Sequence, residues 1–121
     1  MEIIINKIQN HLSSNTNIIF GYLFGSYSKN KQIVSSDIDI ALYLKDTSLD
    51  SKLQINYELS KLLKKDVDLV VLNEVKNIYL LEDILNSGMV INDADERFDF
   101  EIVKEHDILD YKAFRRYIDA A

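Results

Sequence analysis

Two carboxylates two residues apart, Asp37 and Asp39, open one apolar segment of this sequence, and a Gly25-Ser26 pair closes another, with ten residues between them. On a strand, residues i and i+2 point to the same face. Asp37 and Asp39 would then lie a few ångströms apart, where repulsion raises one pKa unless a cation intervenes. Magnesium suits that need, because it takes one or two carboxylates together with substrate phosphates. Gly25 lacks a Cβ and lets backbone N–H groups approach a polyphosphate. Ser26 adds a short hydroxyl donor, and a helical turn beginning there would further favour phosphate charge. Two magnesium ions about 4 Å apart would activate an attacking hydroxyl and stabilise departing pyrophosphate in an in-line displacement. That chemistry asks for a third carboxylate. Asp68 is the candidate, because it is embedded in the apolar run Val67-Asp68-Leu69-Val70-Val71, where an unpaired charge is costly. Asp66 shares its parity and competes for the role. Asp93 and Asp95 form a third such pair but lack the flanking strand and Gly-Ser.

These residues need elements to hold them. Ile18-Ile19-Phe20-Gly21-Tyr22-Leu23-Phe24 is a β-branched and aromatic run of the kind found in a strand covered on both faces, and it stops at Gly25-Ser26. Asp37 to Leu44 predicts a second strand, with Ile38, Ile40 and Leu42 on one face and Asp37, Asp39, Ala41 and Tyr43 on the other. Asp66 to Leu72 predicts a third, and Met89-Val90-Ile91 a brief fourth. Helical spacing of Ile4, Ile5, Ile8 and Leu12 predicts a helix over about residues 2–13, and that of Ile55, Leu59, Leu62 and Leu63 one over about 49–64. Lys64-Lys65 suits the carboxyl end of the latter. A short helix is expected at about 77–86, stopped by Asn86-Ser87-Gly88. From about Asp95, a stripe of Phe98, Ile102, Leu109 and Ala113 predicts a long terminal helix that bends or breaks around His106 to Asp110. The class is α/β (α+β), a small mixed sheet flanked by helices.

The 121 residues, 47% hydrophobic, suffice for one core, so the expectation is one domain over 1–121, with a body at about 1–92 and a helical segment at about 93–121. No cysteine is present, which removes thiol and disulfide chemistry and suits an intracellular protein. The amino terminus has no leader-like pattern and no segment approaches membrane-spanning length, so a cytoplasmic protein is expected. Twenty acidic residues against fourteen basic ones, a net charge of -6, disfavour stable nucleic-acid binding. The acidic excess gathers near the carboxyl end, as a solvated helix face or an acidic docking surface. His11 and His106 lack metal-ligand spacing, and the tyrosines are not interleaved with basic residues as a nucleic-acid stacking platform requires.

Through Gly25-Ser26, the ten-residue spacer, Asp37-Ile38-Asp39 and Val67-Asp68-Leu69-Val70, the chain resembles the polymerase-beta-like nucleotidyltransferase superfamily. Its small size and terminal helical segment are similar to the MNT group, the minimal nucleotidyltransferases that act as antitoxins in HEPN/MNT toxin-antitoxin pairs. The motifs cover about residues 18–72. The resemblance implies that Gly25 and Ser26 hold the triphosphate of ATP and that Asp37 and Asp39 bind magnesium. Asp68 would complete the metal site or help deprotonate the acceptor. It also implies transfer of AMP to a tyrosine of a HEPN ribonuclease toxin. Family members often carry Ala, a basic residue and Gly after the Gly-Ser; here Ser28-Lys29-Asn30 stands instead. Lys29 keeps the charge and joins the nucleotide-binding candidates, and Asn30 reaches left-handed angles better than most residues. Two other readings stand beside this one: an antitoxin that masks its partner by binding alone, and an enzyme acting on a small molecule such as an aminoglycoside. The latter lacks a second domain for an acceptor pocket.

Overall fold

The computed structural model describes residues 2–25 and 37–120. Helix α1 (Glu2–Ser13) ends where the hydroxyls of Ser13 and Ser14 donate to the carbonyls of Asn10 and His11. Strand β1 (Ile18–Phe24) pairs antiparallel with β2 (Ile38–Leu44). Helix α2 (Leu49–Leu63) then carries the chain across to β3 (Val67–Val71), which lies parallel to β2. A parallel neighbour requires such a crossover. A 3-10 turn (Leu72–Glu74) and helix α3 (Ile78–Ser87) lead to β4 (Met89–Asn92), antiparallel to β1. Helix α4 (Glu96–Ala120) follows. The sheet order is β3-β2-β1-β4.

The helix boundaries have local causes. Ser48 caps α2 by accepting from the Ser51 N–H, and Lys64 ends it in the left-handed region at φ 55°. Asn77 caps α3 by accepting from the N–H groups of Tyr79 and Leu80. Gly88 closes that helix with its N–H donating to the Ile84 carbonyl at 2.8 Å. Each cap satisfies backbone groups that the helix itself leaves without partners.

Both sheet faces are covered, as expected of a run like β1. Ile38, Ile40 and Leu42 pack with Ile8 and Leu12 of α1 and with Ile55 and Leu59 of α2. On the opposite face, Phe20, Tyr22, Phe24 and Ala41 pack with Leu81 and Ile84 of α3 and Ile108 of α4. Phe20 also stacks on Tyr43, with centroids 5.0 Å apart, and Phe100 tilts against both rings. The parity of β2 therefore places Asp39 on the face shared with α3 and α4. Among the described residues, no helix is long and apolar enough to cross a membrane.

The terminal helix departs from the sequence expectation twice. It runs unbroken for 25 residues, without the bend expected around His106 to Asp110. No Gly or Pro interrupts it, and Ile108 is buried in the middle of the suspected break. The stripe of Phe98, Ile102, Leu109 and Ala113 faces solvent instead of the core. The packed side carries Arg97, Phe100, Glu101, Ile108, Tyr111 and Lys112, each half-buried or buried. Charged side chains lie there because each has a partner: Glu101 accepts from Tyr22 and Arg97, and Lys112 reaches Glu82 of α3. Their aliphatic stems cover apolar surface that the stripe was expected to cover.

Candidate active site

The site begins where β1 ends. Phe24 pairs with Asp39, and Gly25 turns away at φ +70°, a conformation that residues with a Cβ rarely adopt. A Cβ on Gly25 would stand 2.2 Å from Oδ2 of Asp39 and 3.0 Å from its Cγ. The glycine backbone thus lies directly against this carboxylate. Strand β3 brings the next group: in the parallel register, Ile38 matches Val67 and Asp39 matches Asp68. The Ile38 N–H donates to the Asp66 carbonyl at 3.1 Å, which fixes that register at the strand end. Three adjacent backbones, those of Gly25, Asp39 and Asp68, therefore meet at one end of the sheet.

The register sets Asp68 beside Asp39 and leaves Asp66 before the strand. The reason given by the sequence does not hold, because Asp68 is exposed and flanked by, rather than buried among, apolar neighbours. Asp37, also exposed, stands just before β2 with the same parity as Asp39. Ser26 and Lys29 lie outside the described residues.

Asp39 is the half-buried member, and its carboxyl is pushed above the ordinary carboxylate range. Burial is the largest cause, followed by the negative charges of Asp68 and Asp37 and a hydrogen bond shared with Asp68. Crowded like charges are relieved by a proton or by a cation. Among the described residues, no three His, Cys, Asp or Glu side chains converge on one point. Asp39 and Asp68 form a two-carboxylate edge beside the Gly25 backbone. This hard, all-oxygen donor set fits a magnesium ion that takes its remaining ligands from water and phosphate.

Behind the site, Tyr22 ties β1 to α4. Its buried phenol donates to Oε1 of Glu101 at 2.6 Å, and Arg97 donates to the same oxygen at 2.9 Å while forking onto Asp93. Burial and the Glu101 carboxylate push the Tyr22 phenol far above its ordinary value. At the other end of β2, a cleft of about 440 Å³ opens between Tyr43, Leu72, Asn73 and the first half of α4. Asn73 binds both backbone groups of Leu44, accepting from its N–H at 3.0 Å and donating to its carbonyl at 2.8 Å. Sequence reasoning missed both devices. A buried tyrosine does signal a need for a partner, but nothing in the sequence signals the role of Asn73. His11 stands against Glu58 at 3.2 Å between α1 and α2, away from the site, and His106 is exposed.

Comparison with known proteins agrees with this geometry. A family model described as polymerase beta, nucleotidyltransferase matches residues 6–97, well over half of the chain. A putative protein adenylyltransferase of Methanocaldococcus jannaschii is 40% identical over 63 residues, covering 51% of this chain and 64% of the relative, a little under two thirds of its length. Among solved structures, a toxin-antitoxin with AMP-PNP superimposes with a TM-score of 0.80 at 29% identity, covering 96% of this chain and 95% of that one. A tri-AMPylated Shewanella oneidensis HEPN toxin in complex with MNT antitoxin gives a TM-score of 0.75 at 26% identity, covering 98% and 95%.

Proposed function

This chain belongs to the polymerase beta nucleotidyltransferase family, and we propose that it is the antitoxin of a toxin-antitoxin pair, moving AMP from ATP to a tyrosine hydroxyl of a HEPN ribonuclease toxin and so silencing it. The observation that carries this reading is the in-register pairing of Asp39 with Asp68 under the Gly25 backbone. The names of its relatives support it: the M. jannaschii protein is a putative protein adenylyltransferase, and the S. oneidensis complex holds an AMP-modified HEPN toxin with its MNT antitoxin. We place the reaction in the cytoplasm and treat residues 1–121 as one catalytic unit.

Asp37, Asp39 and Asp68 would hold magnesium, with the triphosphate supplying further oxygens. Bound there, the metal supplies charge neutralisation for the phosphates and lowers the pKa of a coordinated hydroxyl. Gly25 brings the backbone against Asp39 at the strand end, and Ser26 and Lys29, which follow it in the sequence, would bind the triphosphate. Asp39, flanked by two further carboxylates, keeps the site's field negative when empty and so selects for a cation-bearing nucleotide. Asp68, the more exposed of the pair, would accept the proton of the incoming hydroxyl. The tyrosine oxygen forms a bond to the α-phosphorus, the bond from that phosphorus to the β-bridging oxygen breaks, and pyrophosphate departs with the electron pair.

The binding-only reading draws on the apolar side chains that α4 exposes, since masking a partner needs such a surface. Neutralisation by an Asp37→Asn/Asp39→Asn variant separates the two. The transfer reading expects the toxin to remain active although the complex still forms. Full neutralisation at equal expression would overturn it.

A further inference from the structure

Strand β3 lies at one edge of the sheet, and the order β3-β2-β1-β4 gives it β2 as its neighbour on one side. In a parallel ladder, successive residues turn their N–H and C=O groups to alternate sides. The Ile38 N–H takes the Asp66 carbonyl, and with Ile38 opposite Val67 this turns the backbone groups of Asp66, Asp68 and Val70 toward β2. Val67, Leu69 and Val71 turn theirs outward. Asn56 of α2 fills the first of these outward places, donating to the Val67 carbonyl at 3.3 Å. Among the described residues, none bonds the N–H and C=O of Leu69 or the N–H of Val71. A groove of about 300 Å³ follows this edge, lined by Leu69, Val70, Val71 and Val75 together with Lys52 and Glu74.

A donor and an acceptor on one residue and a donor two residues on match main chain in the extended conformation, which adds to a sheet edge through such groups. Charge does not select a different occupant. Lys52 and Glu74 pair with each other at 2.9 Å, and Lys65 and Asp66, one of each sign, stand before the strand. The place of Asp68 then says which main chain it is. On an added strand, the residue opposite Leu69 points to the α2 side, and its neighbour opposite Asp68 shares the face of Asp68, about 4.8 Å away. That holds whether the added strand runs parallel or antiparallel. The two-carboxylate edge needs an acceptor hydroxyl, and this position supplies one beside Asp68. A residue two places further along the strand lies opposite Val70, on the apolar face that Val70 shares with Val75. A second copy of β3, paired through Leu69 with Leu69 or with Val71, would set Val70 or Leu72 opposite Asp68, and neither carries a hydroxyl.

We propose that the outer edge of β3 receives an extended segment of the acceptor protein as a fifth strand, bonded to Leu69 and Val71, with its acceptor hydroxyl beside Asp68. The identity of the partner rests on the adenylyltransferase reading, whereas the pairing rests on the strand register. The segment carries an apolar residue two positions from the acceptor, to lie against Val70 and Val75.

The test mixes the full chain, labelled with nitrogen-15, with the purified product of the neighbouring gene, magnesium and an ATP analogue whose α and β phosphorus atoms are joined by a methylene, so that AMP cannot move. Amide exchange of the chain is followed by NMR, and AMP transfer with ATP itself by intact mass. In the chain alone, the Val70 N–H, bonded to β2, exchanges slowly and those of Leu69 and Val71 exchange fast. The partner is expected to slow Leu69 and Val71 by about tenfold or more and to leave Val70 unchanged. Leu69→Pro removes an outward donor and spares the β2 ladder. It is expected to bind the partner about fivefold more weakly than Leu69→Ala, which loses the same side chain but keeps the N–H. Unchanged exchange at Leu69 and Val71 in the complex overturns the proposal, as does equal binding by the two variants or no binding by the wild type. Slow exchange at both amides in the chain alone, more so at higher concentration, also overturns it and makes a second copy the added strand. Protection without AMP transfer upholds the strand and refutes the adenylyltransferase reading, and transfer without protection does the reverse.

Discussion

Replacing Gly25 with alanine should separate folding from chemistry at the site. The backbone there is at φ +70°, where an L-residue costs about 1–2 kcal/mol. The new methyl would also stand 2.2 Å from Oδ2 of Asp39, against 3.4–4 Å for ordinary contact, so more than 1 Å of movement is needed. The cheapest movement is rotation of the Asp39 carboxylate, which sits at the end of a short side chain. That rotation takes the carboxylate out of line with Asp68. A displacement of this size at reacting groups costs on the order of 100-fold in rate. Gly25→Ala is therefore expected to lower the melting temperature by roughly 3–10 °C and to cut AMP transfer about 100-fold, measured with labelled ATP and purified partner. Gly25→Asn sharpens the argument: asparagine tolerates the left-handed angle, so stability should largely return, yet its Cβ still displaces Asp39 and transfer should stay low. Transfer within threefold of wild type in Gly25→Ala would refute the contact between this glycine and the Asp39 carboxylate as the basis of its role.

Other consequences follow from the same geometry. Because the folded state raises the Asp39 pKa, the ionised carboxylate is disfavoured by folding, and stability falls as pH rises from the ordinary carboxylate range through the folded value. Asp39→Asn should accordingly melt at or above the wild-type temperature without divalent ions, and magnesium should raise the melting temperature of the wild type alone. Tyr22→Phe removes a hydrogen bond to a carboxylate and should cost about 1.5–3 kcal/mol in denaturant unfolding. Its raised pKa carries a second signature: above about pH 10 the unfolded state loses the phenolic proton and the folded state keeps it, so wild-type stability should drop there. In Tyr22→Phe that part of the drop should vanish. Asn73→Ala leaves both backbone groups of Leu44 without their partner and should destabilise by about 1–3 kcal/mol, with AMP transfer little changed because Asn73 lies at the far end of β2.

The strands and first three helices were legible because their signals are local. β1 follows the apolar run to the residue, α2 stops just before Lys64-Lys65, and α3 stops within Asn86-Ser87-Gly88, each a signal that acts within a turn of itself. The pairing of Asp39 with Asp68 was only half legible. Alternation gives each its face, but the choice between Asp66 and Asp68 depends on strand register, which a sequence encodes through contacts between distant residues. Helix α4 was the hardest to read. Periodicity reports where apolar side chains lie, not which of two faces meets the sheet, and here the inward face is held by Tyr22, Glu101, Arg97 and Lys112 through ion pairs and hydrogen bonds. The apolar face was taken for core and is surface.

The central claim, that Asp39 and Asp68 under Gly25 transfer AMP to a toxin, is tested most directly by weighing the product of the neighbouring gene after co-expression with this chain. Intact mass spectrometry should show the toxin heavier by one or more AMP units with the wild-type chain and unmodified with Asp39→Asn. An unmodified toxin in both, or equal modification in both, would contradict it.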